Sequence, residues 1–344
     1  MNATLQQFFM VPRFRAAVLG FDGGEAALPP AQREDAFMWQ LQSLFAHLQE
    51  SEKAHYNPLG FCQALRDWEG EPVDVLMQQD ASEFVAMLLQ QLEGRVMGTP
   101  AEAPLREAFG GVFSNELLAQ GGRRSERPEP FSYVSVGVKD TRTLAGALRA
   151  FVAGETVEYR WGEGAAAATL PTLKRLAIRE LPPHLLIHLK RFEFDFATMQ
   201  QVKINDRFEF PLELDMRPYT TEALAERDAA AAAAAASGDG GDGGGGGGDG
   251  GGGGGGGDGG GDGGAEGQAK ESDETPKRPD SYYRYQLAGV VVHMGTANSG
   301  HYYSFIRERC GARRWFEFND NLVTEMDPAD LETECFGGSR QRPA

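Results

Sequence analysis

Three residues near the C-terminal end of the chain could do proton chemistry together: His301, Asn319 and Asp320. His301 follows Gly300 and begins a run, Tyr302-Tyr303-Ser304-Phe305-Ile306, that reads as a strand opened by a glycine. Arg314 to Phe318 reads the same way, and the polar Arg309-Cys310-Gly311-Ala312-Arg313 between them predicts a hairpin. Folding the chain about Cys310 and Gly311 brings His301 opposite Asp320, to within a residue or two. An imidazole works as a general base when its second ring nitrogen is held by an acceptor, and Asn or Asp supplies one. The pattern therefore predicts a base and its orienter at the open end of a hairpin. The alternative is an ordinary strand-end histidine bonded to a turn.

A base of this kind needs a nucleophile, and the chain has three cysteines. Cys62, in Pro58-Leu59-Gly60-Phe61-Cys62, reads as an apolar structural thiol. Cys310 sits in the hairpin turn, away from His301, and Cys335 lies near the end of the chain. None opens a helix whose N-terminus could stabilise a thiolate. Three scattered cysteines make no disulfide framework, so a reducing compartment is expected.

The elements that must position these residues follow from periodicity. Leu5, Phe8 and Phe9 mark one face of a helix already under way at Met1, without the basic-then-apolar layout of a signal peptide. The expectation is a fragment of an intracellular protein, cytoplasmic or nuclear. Phe37, Leu41, Leu44, Phe45 and Leu48 predict an amphipathic helix over 33–49. Gln78-Gln79-Asp80-Ala81-Ser82-Glu83-Phe84 opens another, with Val85, Leu88, Leu89, Leu92 and Val96 on its buried face. Asp80 and Glu83, three apart, project from one side of it; acids there also complement the helix dipole. Phe131 to Val138 alternates as a strand, and Leu144, Leu148 and Phe151 suit a short helix. The apolar run from Leu185 to Phe194 predicts a central strand buried on both faces, with His188 as a core histidine satisfied by a neighbour. Tyr282 to Met294 predicts a further strand. Between these last two lies an Ala/Gly/Asp-rich segment, 229–280, that cannot bury enough surface to offset its ordering entropy and is expected to be a disordered insertion.

The net charge is −17, of which the low-complexity segment, with ten acids against three bases, supplies −7. That balance argues against nucleic acid as the main partner. No apolar run approaches the length of a membrane span, so no membrane association is expected.

Gly300-His301-Tyr302-Tyr303-Ser304-Phe305 with Trp315-Phe316-Glu317-Phe318-Asn319-Asp320 resembles the histidine box of the ubiquitin-specific proteases. Gln78-Gln79-Asp80-Ala81-Ser82-Glu83-Phe84, the run from Leu181-Pro182-Pro183 to Leu189-Lys190-Arg191-Phe192, and Cys335-Phe336-Gly337-Gly338 are similar to further motifs of that family, in order along nearly the whole chain. The stretch from Lys203 to Tyr219 looks most like the large fat-facets-type members.

The resemblance implies an α+β, papain-like "hand" in one domain: a helical thumb over 1–110, β-rich fingers over 111–180, and a palm from 181–228 and 281–338. It implies thiol-dependent hydrolysis of the bond after ubiquitin's C-terminal glycine, with His301 as general base, Asn319 as the residue that orients it and Asp320 in support. Gln79, Asp80, Glu83 and Tyr302 would bind ubiquitin's arginine-bearing tail, and ubiquitin and ubiquitinated proteins would be the partners. Met1-Asn2 and Leu5-Gln6-Gln7 match the part of the family's first helix just after its cysteine, so the nucleophile would lie two residues ahead of Met1. The alternative is a ubiquitin-binding pseudoenzyme without a nucleophile. Many members carry two Cys-x-x-Cys pairs at the tip of the fingers. Here Leu117–Gly121 and Tyr159–Gly164 hold no cysteine, so no metal is expected, and no cofactor.

Overall fold

The computed structural model describes residues 1–33, 36–53, 55–74, 80–163, 167–238, 278–297, 299–309 and 311–338. The N-terminal third is helical: α1 (Asn2–Phe9), α2 (Pro12–Leu19), α3 (Pro30–Arg33), α4 (Phe37–Glu50), α5 (Leu59–Ala64), α6 (Ala81–Val96) and α7 (Glu102–Phe109). Local signals set their ends. Pro12 occupies the first position of α2, where a missing N–H costs nothing. Asp80 caps α6 by accepting the Ser82 N–H at 2.7 Å. The apolar stripes of these helices meet in one core, centred on mutually contacting rings of Phe8, Phe14, Phe45 and Phe109. Such tilted and edge-on ring pairs add to their area burial.

Next come β1 (Gly111–Ala119), β2 (Arg123–Phe131), β3 (Val134–Gly137), α8 (Leu144–Ala153), β4 (Glu155–Trp161) and β5 (Ala168–Glu180). Four of these form an antiparallel sheet in the order β2-β1-β5-β4. At its centre Glu116, fully buried, accepts from Arg175 Nε at 2.7 Å. Arg175 also donates to Asp228 at 2.6 Å.

The rest of the chain gives β6 (Ile187–Lys190), β7 (Phe192–Asp195), β8 (Gln200–Lys203), β9 (Glu213–Asp215), α9 (Thr221–Gly238), α10 (Asp280–Tyr283), β10 (Arg284–Gln286), β11 (Gly289–Gly295), β12 (Gly300–Arg307), β13 (Trp315–Asn319), β14 (Leu322–Met326) and α11 (Leu331–Cys335). The sheet that carries His301 and Asn319 is antiparallel, in the order β11-β12-β13-β14. Ser304 pairs with Phe318, one residue from the register expected of a fold about Cys310 and Gly311.

Several expectations need correction. Phe131 to Val138 is not one strand. Phe131 ends β2, and β3 leaves the four-stranded sheet to pair in parallel with β6, with α8 packed against it. The run from Leu185 to Phe194 is not one central, doubly buried strand. It breaks into β6 and β7, each half-buried in a two-stranded sheet, because Arg191 turns aside to donate to the Ile204, Asp206 and Phe336 carbonyls. Tyr282 to Met294 likewise divides into α10, β10 and β11. The helix expected over 33–49 starts at Phe37. The insertion expected to be disordered over 229–280 begins as helix. Its alanines prolong α9, since alanine has the highest helix propensity and the first turns are anchored by buried Leu224 and by Asp228. Residues 239–277 lie outside the described ones. Among the described residues no helix is long and apolar enough to cross a membrane.

Candidate active site

His301 is the second residue of β12 and Asn319 the last of β13, both just beyond the paired part of that ladder. The open end gives their side chains room to meet. His301 Nε2 lies 2.7 Å from Asn319 Oδ1. An amide oxygen only accepts, so the ring donates Nε2–H, and Nδ1 carries the lone pair. Asn319 in turn donates Nδ2–H to Glu317 Oε1 at 3.4 Å. The chain then reverses in a two-residue turn, Asp320-Asn321, with Asp320 in the left-handed region at φ 52°. The Asp320 carboxylate stands 3.9 Å from His301 Nε2. The pair expected from the sequence is thus assembled, with Asn319 in direct contact and Asp320 one step further out.

Helix α1 is fixed against this sheet by side chains that the sequence pattern alone does not single out. Gln7 donates to the carbonyls of Phe305 (2.9 Å) and Val290 (3.3 Å). A Cβ at residue 289 would stand 2.0 Å from Gln7 Oε1, so glycine there makes room for the contact. Asn2 donates to Asp320 Oδ1 and Gln6 to the Asp320 carbonyl, both at 3.3 Å. The N-terminal end of α1 therefore faces the His301 hairpin. The available signal was the Gln6-Gln7 pair one helical turn behind Asn2.

On the other side of His301, Tyr302 points to the start of α6. Its hydroxyl accepts the Ala81 N–H, and its acidity is pushed down to a pKa of about 12, first by burial and then by the Asp80 charge. Next to it, burial and the charge of Lys203 take His293 down to about 4, so the ring is neutral at physiological pH. The structure parts Asp80 from Glu83. Asp80 lines the cleft beside Tyr302, while Glu83 is exposed and accepts from the indole N–H of Trp68 at 3.1 Å. Gln79 lies outside the described residues. His188, as expected, is satisfied by a neighbour: Nδ1 lies 2.8 Å from Ser135 Oγ.

The described cysteines are poor nucleophiles. Cys62 is buried beside Met1 Sδ at 3.3 Å, and Cys335 is buried in α11; burial raises both thiols above their ordinary range. Cys310 lies outside the described residues.

The sequence profile of the family "Ubiquitin carboxyl-terminal hydrolase" matches residues 1–340. The chain belongs to the ubiquitin carboxyl-terminal hydrolase family. It is 34% identical over 348 residues to ubiquitin carboxyl-terminal hydrolase 24 of Mus musculus, covering 98% of this chain and 12% of that protein. To ubiquitin carboxyl-terminal hydrolase puf of Drosophila melanogaster it is 36% identical over 350 residues, covering 98% of the chain and 8% of the relative. The probable hydrolase FAF of the same fly is 30% identical over 395 residues, covering 98% and 13%. The chain thus spans only a small part of the length of these relatives.

Its fold is similar to a chain in the structure of the SAGA Ubp8/Sgf11/Sus1/Sgf73 DUB module bound to ubiquitin aldehyde. The TM-score is 0.67 at 21% identity, over 98% of this chain and 65% of the other. The ubiquitin carboxyl-terminal hydrolase domain here is accordingly α+β, of the papain-like kind, with helices on one side of the cleft and the His301 sheet on the other.

Proposed function

We propose that this domain performs thiol-dependent hydrolysis of the bond after ubiquitin's C-terminal glycine, with His301 as general base and Asn319 as its orienter. The observation that carries this reading is the 2.7 Å contact of His301 Nε2 with Asn319 Oδ1, which leaves Nδ1 as the proton acceptor. In such a reaction Nδ1 takes the thiol proton, the thiolate attacks the carbonyl, and the imidazolium returns the proton to the leaving amine; water then cleaves the thioester with the same ring as base. The end of α1 that faces the hairpin is its N-terminus, where the helix dipole favours a thiolate, so the thiol belongs there. Asp80 and Tyr302, side by side in the cleft, hold the arginine-bearing tail of ubiquitin.

Buried Cys62 and Cys335 do not supply that thiol. Unless Cys310 serves, the 344 residues on their own bind ubiquitin without turning it over, which is the pseudoenzyme reading applied to this polypeptide. Two measurements test the proposal: calorimetry with ubiquitin and turnover of a fluorogenic ubiquitin C-terminal amide. Binding without turnover is expected. Turnover abolished by His301→Ala would show that one of the chain's own cysteines is the nucleophile. Absence of both binding and turnover would overturn the ubiquitin reading.

A further inference from the structure

The side-chain amide of Asn319 has two ends, and only one suits His301. With Oδ1 towards the ring, Asn319 accepts Nε2–H at 2.7 Å. Turned over, it would present a donor to Nε2, driving the ring proton to Nδ1 and leaving no base on that side. Nothing intrinsic to an asparagine makes this choice. Asp320 does not make it either: its carboxylate faces Nε2 from 3.9 Å and its Oδ1 accepts from Asn2.

The choice is made from behind. Glu317 and Asn319 are two residues apart on β13, hence on one face of the sheet. Glu317 Oε1 accepts from Asn319 Nδ2 at 3.4 Å. That is a long hydrogen bond, but an ionised carboxylate is an acceptor only, and an inverted amide would set oxygen against oxygen. We infer that Glu317 is a positioning residue for the proposed reaction: it fixes the Asn319 amide, and through it the tautomer of His301. A carboxylate behind a neutral amide does indirectly what a charged third residue would do in direct contact.

This inference rests on the reading of His301 as the base, and it predicts a reversal of sign. With aspartate at 319 there is no amide to orient, and Glu317 becomes a like charge beside it.

The test is the nitrogen spectrum of His301 in chain labelled at the histidine rings, at about pH 8, where an ordinary imidazole is neutral. The proteins are wild type, Glu317→Gln, Glu317→Ala, Asn319→Asp and the Asn319→Asp/Glu317→Gln double variant. Wild type is expected to show one Nε2–H tautomer. Glu317→Gln, nearly isosteric, and Glu317→Ala should bring the two ring-nitrogen signals together as the minor tautomer rises about five- to tenfold, somewhat less than a short charge-assisted hydrogen bond would give, as the 3.4 Å length requires. Asn319→Asp should hold the Nε2–H tautomer with either residue at 317, and the double variant should melt above Asn319→Asp alone. Ring signals unchanged in both Glu317 variants would overturn the inference. So would equal drift of the signals in the Asn319→Asp background. The spectrum needs no substrate, so it reads the positioning of the ring even if the hydrolase proposal fails.

Discussion

Gln7 occupies the space that a side chain at residue 289 would fill, and from there it donates to two carbonyls of the palm sheet, those of Val290 and Phe305. Together with the bonds from Asn2 and Gln6 to Asp320, these hold α1 against the His301 sheet. Gly289→Ala places a methyl 2.0 Å from Gln7 Oε1 and must drive the side chain out. The expected cost is about 1–3 kcal/mol, the worth of one or two lost hydrogen bonds. A cycle with Gln7→Ala checks the cause. Once the glutamine is gone, Gly289→Ala should cost little, so the two effects should be strongly non-additive in denaturant melts. Additive losses would mean that strand β11 itself rejects a side chain at 289.

How much of this was legible beforehand divides by physical cause. The hairpin of His301 and Asn319 was, because the period-2 pattern and the glycine-bearing turn are local signals that fix register to within a residue. Helix α6 was legible from its apolar spacing, but its start was not: it begins at Ala81, and Asp80, read as a first-turn acid, is its N-cap. What sequence could not give was the partner of each acid. Asp80 and Glu83 are neighbours in spacing, yet Asp80 turns inward as an N-cap and Glu83 finds Trp68 outside. That outcome depends on where α6 docks, which is tertiary. The same holds for Gln7 and Glu317, whose polar side chains carry no period. The break at Arg191 was hidden because apolar continuity alone cannot tell one central strand from two short half-buried ones.

The separation of Asp80 from Glu83 makes a prediction about ubiquitin. Asp80→Asn keeps the N-cap acceptor while removing the charge. It should weaken ubiquitin binding about ten- to a hundredfold, as loss of a desolvated charge-assisted hydrogen bond would. Glu83→Gln should change affinity by less than about threefold, since its carboxylate is exposed on Trp68. The Asp80→Asn loss should vanish against ubiquitin lacking its C-terminal tail. Calorimetry on these combinations decides. Equal losses for the two acids would return both to the role of first-turn charges.

Glu116 and Arg175 are buried at 0% and 4% exposure inside the four-stranded sheet, and Arg175 carries Asp228 of α9 on its other nitrogen. A buried pair is weak support for stability as such, and here each member keeps a second partner when the other is removed: Arg124 donates to Glu116 at 3.0 Å, and Asp228 accepts from Arg175. Glu116→Leu or Arg175→Met alone should cost about 1–3 kcal/mol, the worth of the hydrogen bonds lost. The double change should cost clearly less than the sum. Arg175→Met should also release Asp228, so the amides of α9 should exchange hydrogen faster while those of α6 stay protected. Unchanged exchange in α9 would mean that the alanine-rich helix is held by Leu224 and its apolar neighbours alone.

The neutral ring of His293 makes stability depend on pH in a defined direction. It lies between Phe192 (centroids 5.2 Å) and Tyr302 (4.6 Å), and Lys203, which donates to the His293 carbonyl at 2.8 Å, adds a repulsive charge. Asp80 opposes this and His301 reinforces it. Burial is the main cause, and the folded ring titrates near 4 rather than near the ordinary 6.5. The sign follows. Above about 6.5 the ring is neutral in both states and contributes nothing. As the pH falls below that, the unfolded chain takes up a proton that the folded ring refuses, and unfolding gains until about pH 4. Allowing for partial solvent contact, the loss should reach roughly 1–2 kcal/mol, a shift of about 2–8 °C in Tm. His184 and His188 are also shifted downward by burial, so wild type alone would not isolate the effect. His293→Phe keeps an aromatic ring between Phe192 and Tyr302 and removes the proton site. The two Tm curves should run parallel from pH 8 to 7, then diverge, with wild type falling faster towards pH 4. Curves that stay parallel over the whole range would show that His293 keeps its proton affinity in the folded state, and that the cleft beside Tyr302 is wetter than its packing indicates.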